Sequence, residues 1–175
     1  NNGNFVHYDG TEWSVLIGGI TNDILCVDMI DTDHGWAGGG GGAAYHYDGI
    51  DWTRVDHTET TNELRACHFT SDNSGWFVGD SGTLLRYDNG TFTSYASPTG
   101  VDLFGVYVPT AGDGWACGKN GNVLRYRNDQ WDLMTSLAQD DLNDMCFYEN
   151  DEGWICGDAG TLLKISGGGF GLKSV

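Results

Sequence analysis

Proline is nearly missing from this 175-residue chain, with 2 residues against 28 glycines. That ratio excludes a proline-rich linker and points to a chain of many turns. Basic side chains are almost as scarce. Eight Lys and Arg stand against 25 Asp and Glu, for a net charge of −17. Polyanions are held by Lys and Arg, so this balance argues against nucleic acid or an anionic membrane as a partner. A protein, a glycan or a cation suits an acidic surface better, although charge of this kind also simply keeps a protein in solution. No apolar run approaches the roughly 20 residues that cross a bilayer, and the opening Asn1-Asn2-Gly3 is not an apolar leader, so no membrane insertion is expected. The five cysteines include no Cys-x-x-Cys, and Cys67-His68 is their one contact with histidine at close spacing. Nothing there reads as a metal motif.

What the chain has instead is repetition. Gly-Trp recurs at Trp36, Trp76, Trp115 and Trp154, at spacings of 40, 39 and 39 residues. A Tyr-Asp-Gly…aromatic phrase closes on Trp13, Trp52, Phe92, Trp131 and Phe170, spaced 39, 40, 39 and 39 apart. Between these landmarks lie short β-rich runs separated by Gly, Asp and Asn, as in Trp76-Phe77-Val78-Gly79-Asp80-Ser81-Gly82-Thr83-Leu84-Leu85. A fixed period near 40 with several strands per unit is the signature of a β-propeller blade. The expected fold is therefore all-β, a β-propeller of four-stranded blades forming one domain over residues 1–175. It holds a half-blade at 1–20 and complete blades at about 21–59, 60–99, 100–138 and 139–175.

Within each unit an apolar anchor stands twelve residues before the Gly-Trp tryptophan: Ile24, Leu64, Leu103 and Leu142. Three and five residues further on come Val27 and Met29, Cys67 and Phe69, Val106 and Val108, Met145 and Phe147. This period of two predicts one buried face on the innermost strand of each blade. The four Gly-Trp tryptophans are expected to be equivalent and buried between blades. The run from Gly38 to Gly42 falls on a mid-blade turn and reads as a loosened version of it. Asn89-Gly90-Thr91 is formally a glycosylation sequon, but Asn-Gly has its own reason to occupy a hairpin turn.

The repeat Gly-Trp-x-x-Gly-Asp-x-Gly-Thr-Leu-Leu-x-Tyr-Asp-Gly-x-x-Trp resembles those of photosystem II assembly factor-like and sialidase-type Asp-box propellers. It is most similar to the divergent Trp-Ala-Val-Gly…His-Tyr-Asp-Gly repeats of secreted bacterial proteins. The resemblance covers the whole chain. It implies four strands per blade, with Asp-Gly on the hairpin between the third and fourth. By that register the chain begins midway through a unit, and a five-bladed ring would need about twenty more residues as inner strands, by the period itself. The expectation is a piece of a larger propeller; the alternative is that another chain, a homo-oligomer partner included, supplies those strands. The hairpin at 4–17 is accordingly expected to be covered by another chain or to be less well ordered than the complete blades.

The loops before the inner strands, at 18–23, 56–63, 97–102 and 137–141, are polar and differ in sequence. On a repeated scaffold such loops commonly carry recognition. In a propeller they share a face with the mid-blade turns, which gives Glu59, Glu63, Asp80, Asp102, Lys119, Asp140, Asp141 and Asp158 as candidate binding-face residues. Asp140, Asp141 and Asp144 could hold a hard cation such as calcium but lack the graded spacing of a calcium loop, and no cofactor is expected. A sialidase would need converging arginines. Arg86 and Arg125 instead occupy one repeat position, shared with His7, His46 and Lys164, which reads as blade architecture. The leading function is a non-catalytic binding or structural module of a secreted or cell-surface bacterial protein, with a protein or glycan partner. The alternatives are a sialidase-like glycan hydrolase and an assembly factor for a membrane complex. Finally, a turn centred on Asp151 would set Cys146 opposite Cys156 and Cys117 opposite Tyr107; against a disulfide there stands the reading that all five cysteines are small apolar fillers.

Overall fold

A computed structural model of the chain describes residues 5–8, 10–16, 20–149, 152–166 and 173–174. The turn expected at 1–3, Asp9, the end of the hairpin at Ile17, the tip at 150–151 and Phe170 lie outside the described residues. The first hairpin is β1 (Phe5–Tyr8) with β2 (Trp13–Leu16). Four antiparallel sheets of four strands follow. They are β3 (Ile24–Met29), β4 (Gly35–Gly39), β5 (Ala44–Tyr47) and β6 (Trp52–Arg54); then β7 (Leu64–Ser71), β8 (Ser74–Gly79), β9 (Leu84–Asp88) and β10 (Thr91–Ser94). The third comprises β11 (Leu103–Thr110), β12 (Asp113–Gly118), β13 (Val123–Arg127) and β14 (Gln130–Met134). The fourth comprises β15 (Leu142–Glu149), β16 (Glu152–Gly157), β17 (Leu162–Ile165) and β18 (Lys173–Ser174). In each sheet the strands lie side by side in chain order. Every inner strand begins on its apolar anchor.

The four sheets pack face to face in chain order, with a buried cluster at each of the three seams between them. The Gly-Trp tryptophan always points forward. Trp36 stacks on Phe69 of the next blade, with ring centroids 4.8 Å apart, and lies 4.3 Å from Tyr87. Trp76 meets Tyr126 and Trp131 edge-on at 4.9 and 5.3 Å. Trp115 packs among Leu142, Ile155, Leu163 and Ile165. Buried aromatic pairs of this geometry contribute about 0.5–1.5 kcal/mol each beyond the area they bury. The period-two set on each inner strand points backward, against the preceding blade.

This direction corrects two expectations at the ends of the row. Trp36, Trp76 and Trp115 are buried, but Trp154 is only half-buried, because no blade after the fourth lies among the described residues. Val27 and Met29 are exposed although Phe69, Val106 and Val108 at the same position are buried, because they face back toward the lone hairpin. On that hairpin Val6, Tyr8, Trp13 and Val15 are all exposed, Trp13 to 70%.

The cysteine register is also corrected. In the fourth sheet Cys146 lies opposite Trp154, and Cys156 lies opposite Asp144. The ladder shifts between Phe147 and Glu149 and again between Leu142 and Asp144, so bulges move the pairing away from a turn centred on Asp151. Cys117 likewise faces Gly105, while Tyr107 faces Trp115. All five cysteines are free; Cys146 and Cys156 are exposed and Cys117 is buried.

Candidate binding face

Four short 3-10 turns join the second and third strands of the blades: Gly40–Gly42, Asp80–Gly82, Lys119–Gly121 and Asp158–Gly160. Each has a left-handed residue at its centre, Gly41, Ser81, Asn120 or Ala159, with φ between 52° and 66°. The glycine run is therefore not a loosened turn, since Gly40–Gly42 repeats the geometry of the others. The first residue of each turn donates its N–H to the carbonyl just before the inner strand. Gly40 bonds Asp23 at 2.8 Å, Asp80 bonds Glu63 at 3.0 Å, Lys119 bonds Asp102 at 2.9 Å and Asp158 bonds Asp141 at 2.8 Å. Loop and turn thus lie on one face of the molecule, as their positions in the repeat predict.

Between blades the fit is tighter still. A Cβ on Gly42, Gly82 or Gly121 would stand 2.4, 2.1 or 2.2 Å from the carbonyl oxygen of Thr60, Thr99 or Ala138 in the next loop. The acidic residues before the inner strands reach across the same seam. The Asp102 carboxylate accepts the Ser81 N–H at 2.9 Å and the Asp141 carboxylate accepts the Asn120 N–H at 3.0 Å. The left-handed turn presents that N–H outward, and an anion is the natural acceptor for it.

Side-chain charge then builds a ladder along the face. Arg65 bonds Glu63 at 2.7 Å and holds Asp80 through two nitrogens. Lys119 donates to Asp102 at 2.6 Å. The Phe104 ring centroid lies 5.8 Å from the Arg65 guanidinium and 5.9 Å from the Lys119 ammonium. Pairing with Asp80 raises the Arg65 pKa. The Lys119 ammonium, then the Ser81 amide, holds the Asp102 carboxyl below its usual range, and Asp102 in turn raises Lys119.

No protein-family model matches the sequence, and no curated protein matches it. Among solved structures the chain is similar to YCF48 bound to D1 peptide, at a TM-score of 0.75 and 18% identity over 95% of this chain and 59% of that one. YCF48 from Cyanidioschyzon merolae gives 0.71 and 15% over 95% of this chain and 61% of its own. The WD40 beta propeller domain of Doa1 gives 0.70 and 11% over 87% and 54%. The fold is a β-propeller. The chain spans about three-fifths of the length of the two YCF48 chains, 59% and 61%.

Of the residues singled out from the sequence, the propeller brings Glu63, Asp80, Asp102 and Lys119 into one ladder and ties Asp141 to it through the turn at Asn120. Asp158 stands apart, accepting from Asn143 at 2.6 Å. Asp140 is exposed and borders a separate cavity of about 290 Å³ with Leu137 and Leu162. Glu59 is exposed on its loop. Asp140, Asp141 and Asp144 do not assemble as a cation site: no group of three metal-ligating side chains occurs among the described residues, and Asp144 turns to the Met145 N–H at 2.8 Å. Sequence reasoning missed Arg65 and Phe104. Both lie just past an anchor, Arg65 one residue after Leu64 and Phe104 one after Leu103; that offset was the available signal.

Proposed function

We propose that this chain is a non-catalytic recognition module that binds a polypeptide carrying basic residues on its loop-and-turn face. The observation that carries the reading is the ladder from Glu63 through Arg65 and Asp80 to Asp102 and Lys119. It uses the two cations of the seam to hold three carboxylates in fixed positions, leaving the face with an excess of negative charge. Asp140, Asp141, Asp158 and Glu59 extend that charge along the same side. The carboxylates are engaged by cations and backbone N–H groups, an arrangement suited to displaying charge. Preorganised charge of this kind steers and orients a cationic partner. That a structural neighbour is YCF48 bound to D1 peptide supports a polypeptide as the ligand class, and so also a role as a scaffold in assembling other proteins. The likeness of the repeats to those of secreted bacterial proteins supports a setting outside the cell.

Titration with an arginine- and lysine-rich nonapeptide tests this. Binding should weaken steeply with salt, and the double charge reversal Glu59→Lys, Asp140→Lys should weaken it further while leaving the fold unchanged, since neither side chain is part of the ladder. Equal affinity for an acidic nonapeptide, or indifference to both reversals, overturns the reading.

A further inference from the structure

Two cysteines stand on neighbouring inner strands at different positions of the repeat. Cys26 is two residues past its anchor Ile24, and Cys67 is three past Leu64. The fold brings these two positions together where one blade meets the next. Between the third and fourth sheets, a Cβ on Gly105, two past Leu103, would lie 3.4 Å from Met145 Cγ, three past Leu142. Between the second and third, Ala66 packs on the cluster that contains Val106. Between the first and second the two positions hold Cys26 and Cys67, and both pack on the cluster of Trp36, Phe69 and Phe77.

The contacts around the pair fix its approach. Cys26 turns toward the second blade, where its Sγ donates to the Leu64 carbonyl at 3.7 Å. The same sulfur occupies the space left by the missing side chain of Gly38, shared with Phe77 and Leu64. Phe77 is the residue directly across the sheet from Cys67. Two residues further along, the Asp28 carboxylate accepts the Phe69 N–H at 2.6 Å. Strands β3 and β7 are thus matched at a separation of 41 residues, which is also the separation of the two cysteines. Their thiols hydrogen-bond each other. Both are free, and neither is fully buried.

We propose that Cys26 and Cys67 are a redox modification site, a dithiol that closes to a disulfide between the first two blades by exchange with a small disulfide such as oxidised glutathione. The Cys26 thiolate attacks one sulfur of the reagent, whose S–S bond breaks to release one glutathione thiolate. Cys67 then loses its proton and its sulfur attacks Cys26 Sγ, displacing the second glutathione thiolate. Both leaving thiolates take up a proton, so the chain loses two electrons and two protons and the reagent becomes two thiols. Cys67 acts second because the Cys26 thiol beside it, then burial, push its own pKa well up, and only the thiolate is nucleophilic. The bond ties β7, which carries Arg65, to the first blade. It lies within a seam between two complete blades and is independent of what the loop face binds.

The test equilibrates the whole folded chain with oxidised glutathione, blocks the remaining thiols by alkylation and maps the peptides without reduction. A peptide linking Cys26 to Cys67 is expected in the monomer, outnumbering every other internal pair, and dithiothreitol should abolish it. The same reaction in concentrated urea should lose that preference, because the fold supplies the proximity. Cys67→Ser should stall with glutathione held on Cys26, whereas Cys26→Ser should leave Cys67 a free thiol. The parent map stands by itself if either variant fails to fold. No Cys26–Cys67 peptide from the folded parent overturns the proposal. So does a folded chain that pairs its cysteines no more selectively than the chain in urea, or glutathione held on Cys67 while Cys26 stays free.

Discussion

The guanidinium of Arg125 lies 4.1 Å from the ring centroid of Trp115, the residue directly across from it on the adjacent strand. Both are buried, Arg125 to 2% exposure, and Asp113 binds the guanidinium at 2.6 Å. The same cross-strand pair recurs as Trp36 with His46 at 4.9 Å and Trp154 with Lys164 at 5.9 Å. A cation or imidazole thus covers the back of the tryptophan whose front enters the next blade. Such contacts contribute about 0.5–2 kcal/mol. The repeated basic position is blade architecture, as its recurrence in the sequence implies.

Trp115→Ala should destabilise the protein by about 3–5 kcal/mol, the cost of emptying a large core site. Trp154→Ala should cost clearly less, because no described blade covers its forward face. Urea midpoints of the two variants check this; equal losses would show that the fourth blade is covered after all.

Glycine at the end of each mid-blade turn is required for two separable reasons. Gly82 and Gly160 both have positive φ, 73° and 79°, but a Cβ on Gly82 would strike the Thr99 carbonyl, whereas one on Gly160 would meet nothing within 4 Å. Gly160→Ala should therefore cost only the left-handed penalty, about 1–2 kcal/mol, and Gly82→Ala more than that. Thermal unfolding of the pair separates backbone strain from the seam between blades.

Stability should depend on acid through Asp102. Its carboxyl is held below its usual pKa in the folded state by Lys119 and the Ser81 amide. A depressed carboxyl stabilises the fold above its unfolded pKa, near 3.9, and this contribution is lost as pH falls through the lower folded value. The gap between the parent and Asp102→Asn should be widest near neutral pH and close in acid below about pH 4. Denaturation midpoints across pH 2–7 give the result; a constant gap would remove the charge from the explanation.

Thiol chemistry should sort the cysteines by position. Five free thiols are expected in the denatured, unreduced protein. In the native protein Cys146 and Cys156 should react first. Burial pushes the Cys117 thiol pKa far up, and Cys117 should react last because only the thiolate is nucleophilic. Mass spectrometry after timed alkylation reads the order; rapid labelling of Cys117 would contradict its burial.

Much of the fold was legible in the chain because its information is local. The 39- to 40-residue period, the turn residues and the alternation after each anchor locate strands that begin on Ile24, Leu64, Leu103 and Leu142. Hairpins pair neighbours in sequence, so their order needs nothing from afar. The shared side of loops and turns also follows from the repeat, and places Glu63, Asp80, Asp102 and Lys119 together.

Contacts between blades join residues about a repeat apart, and no local pattern encodes which side of a sheet meets its neighbour. Tertiary structure alone decided that the tryptophans point forward, which buries Trp36 and leaves Trp154 and Met29 at the ends of the row. It alone brought Arg65 and Lys119 to the Phe104 ring. The register of the fourth blade was likewise beyond the sequence: the hairpin closes on Glu149 and Glu152 and the ladder slips once more before Phe147, so that Cys146 faces Trp154 instead of Cys156.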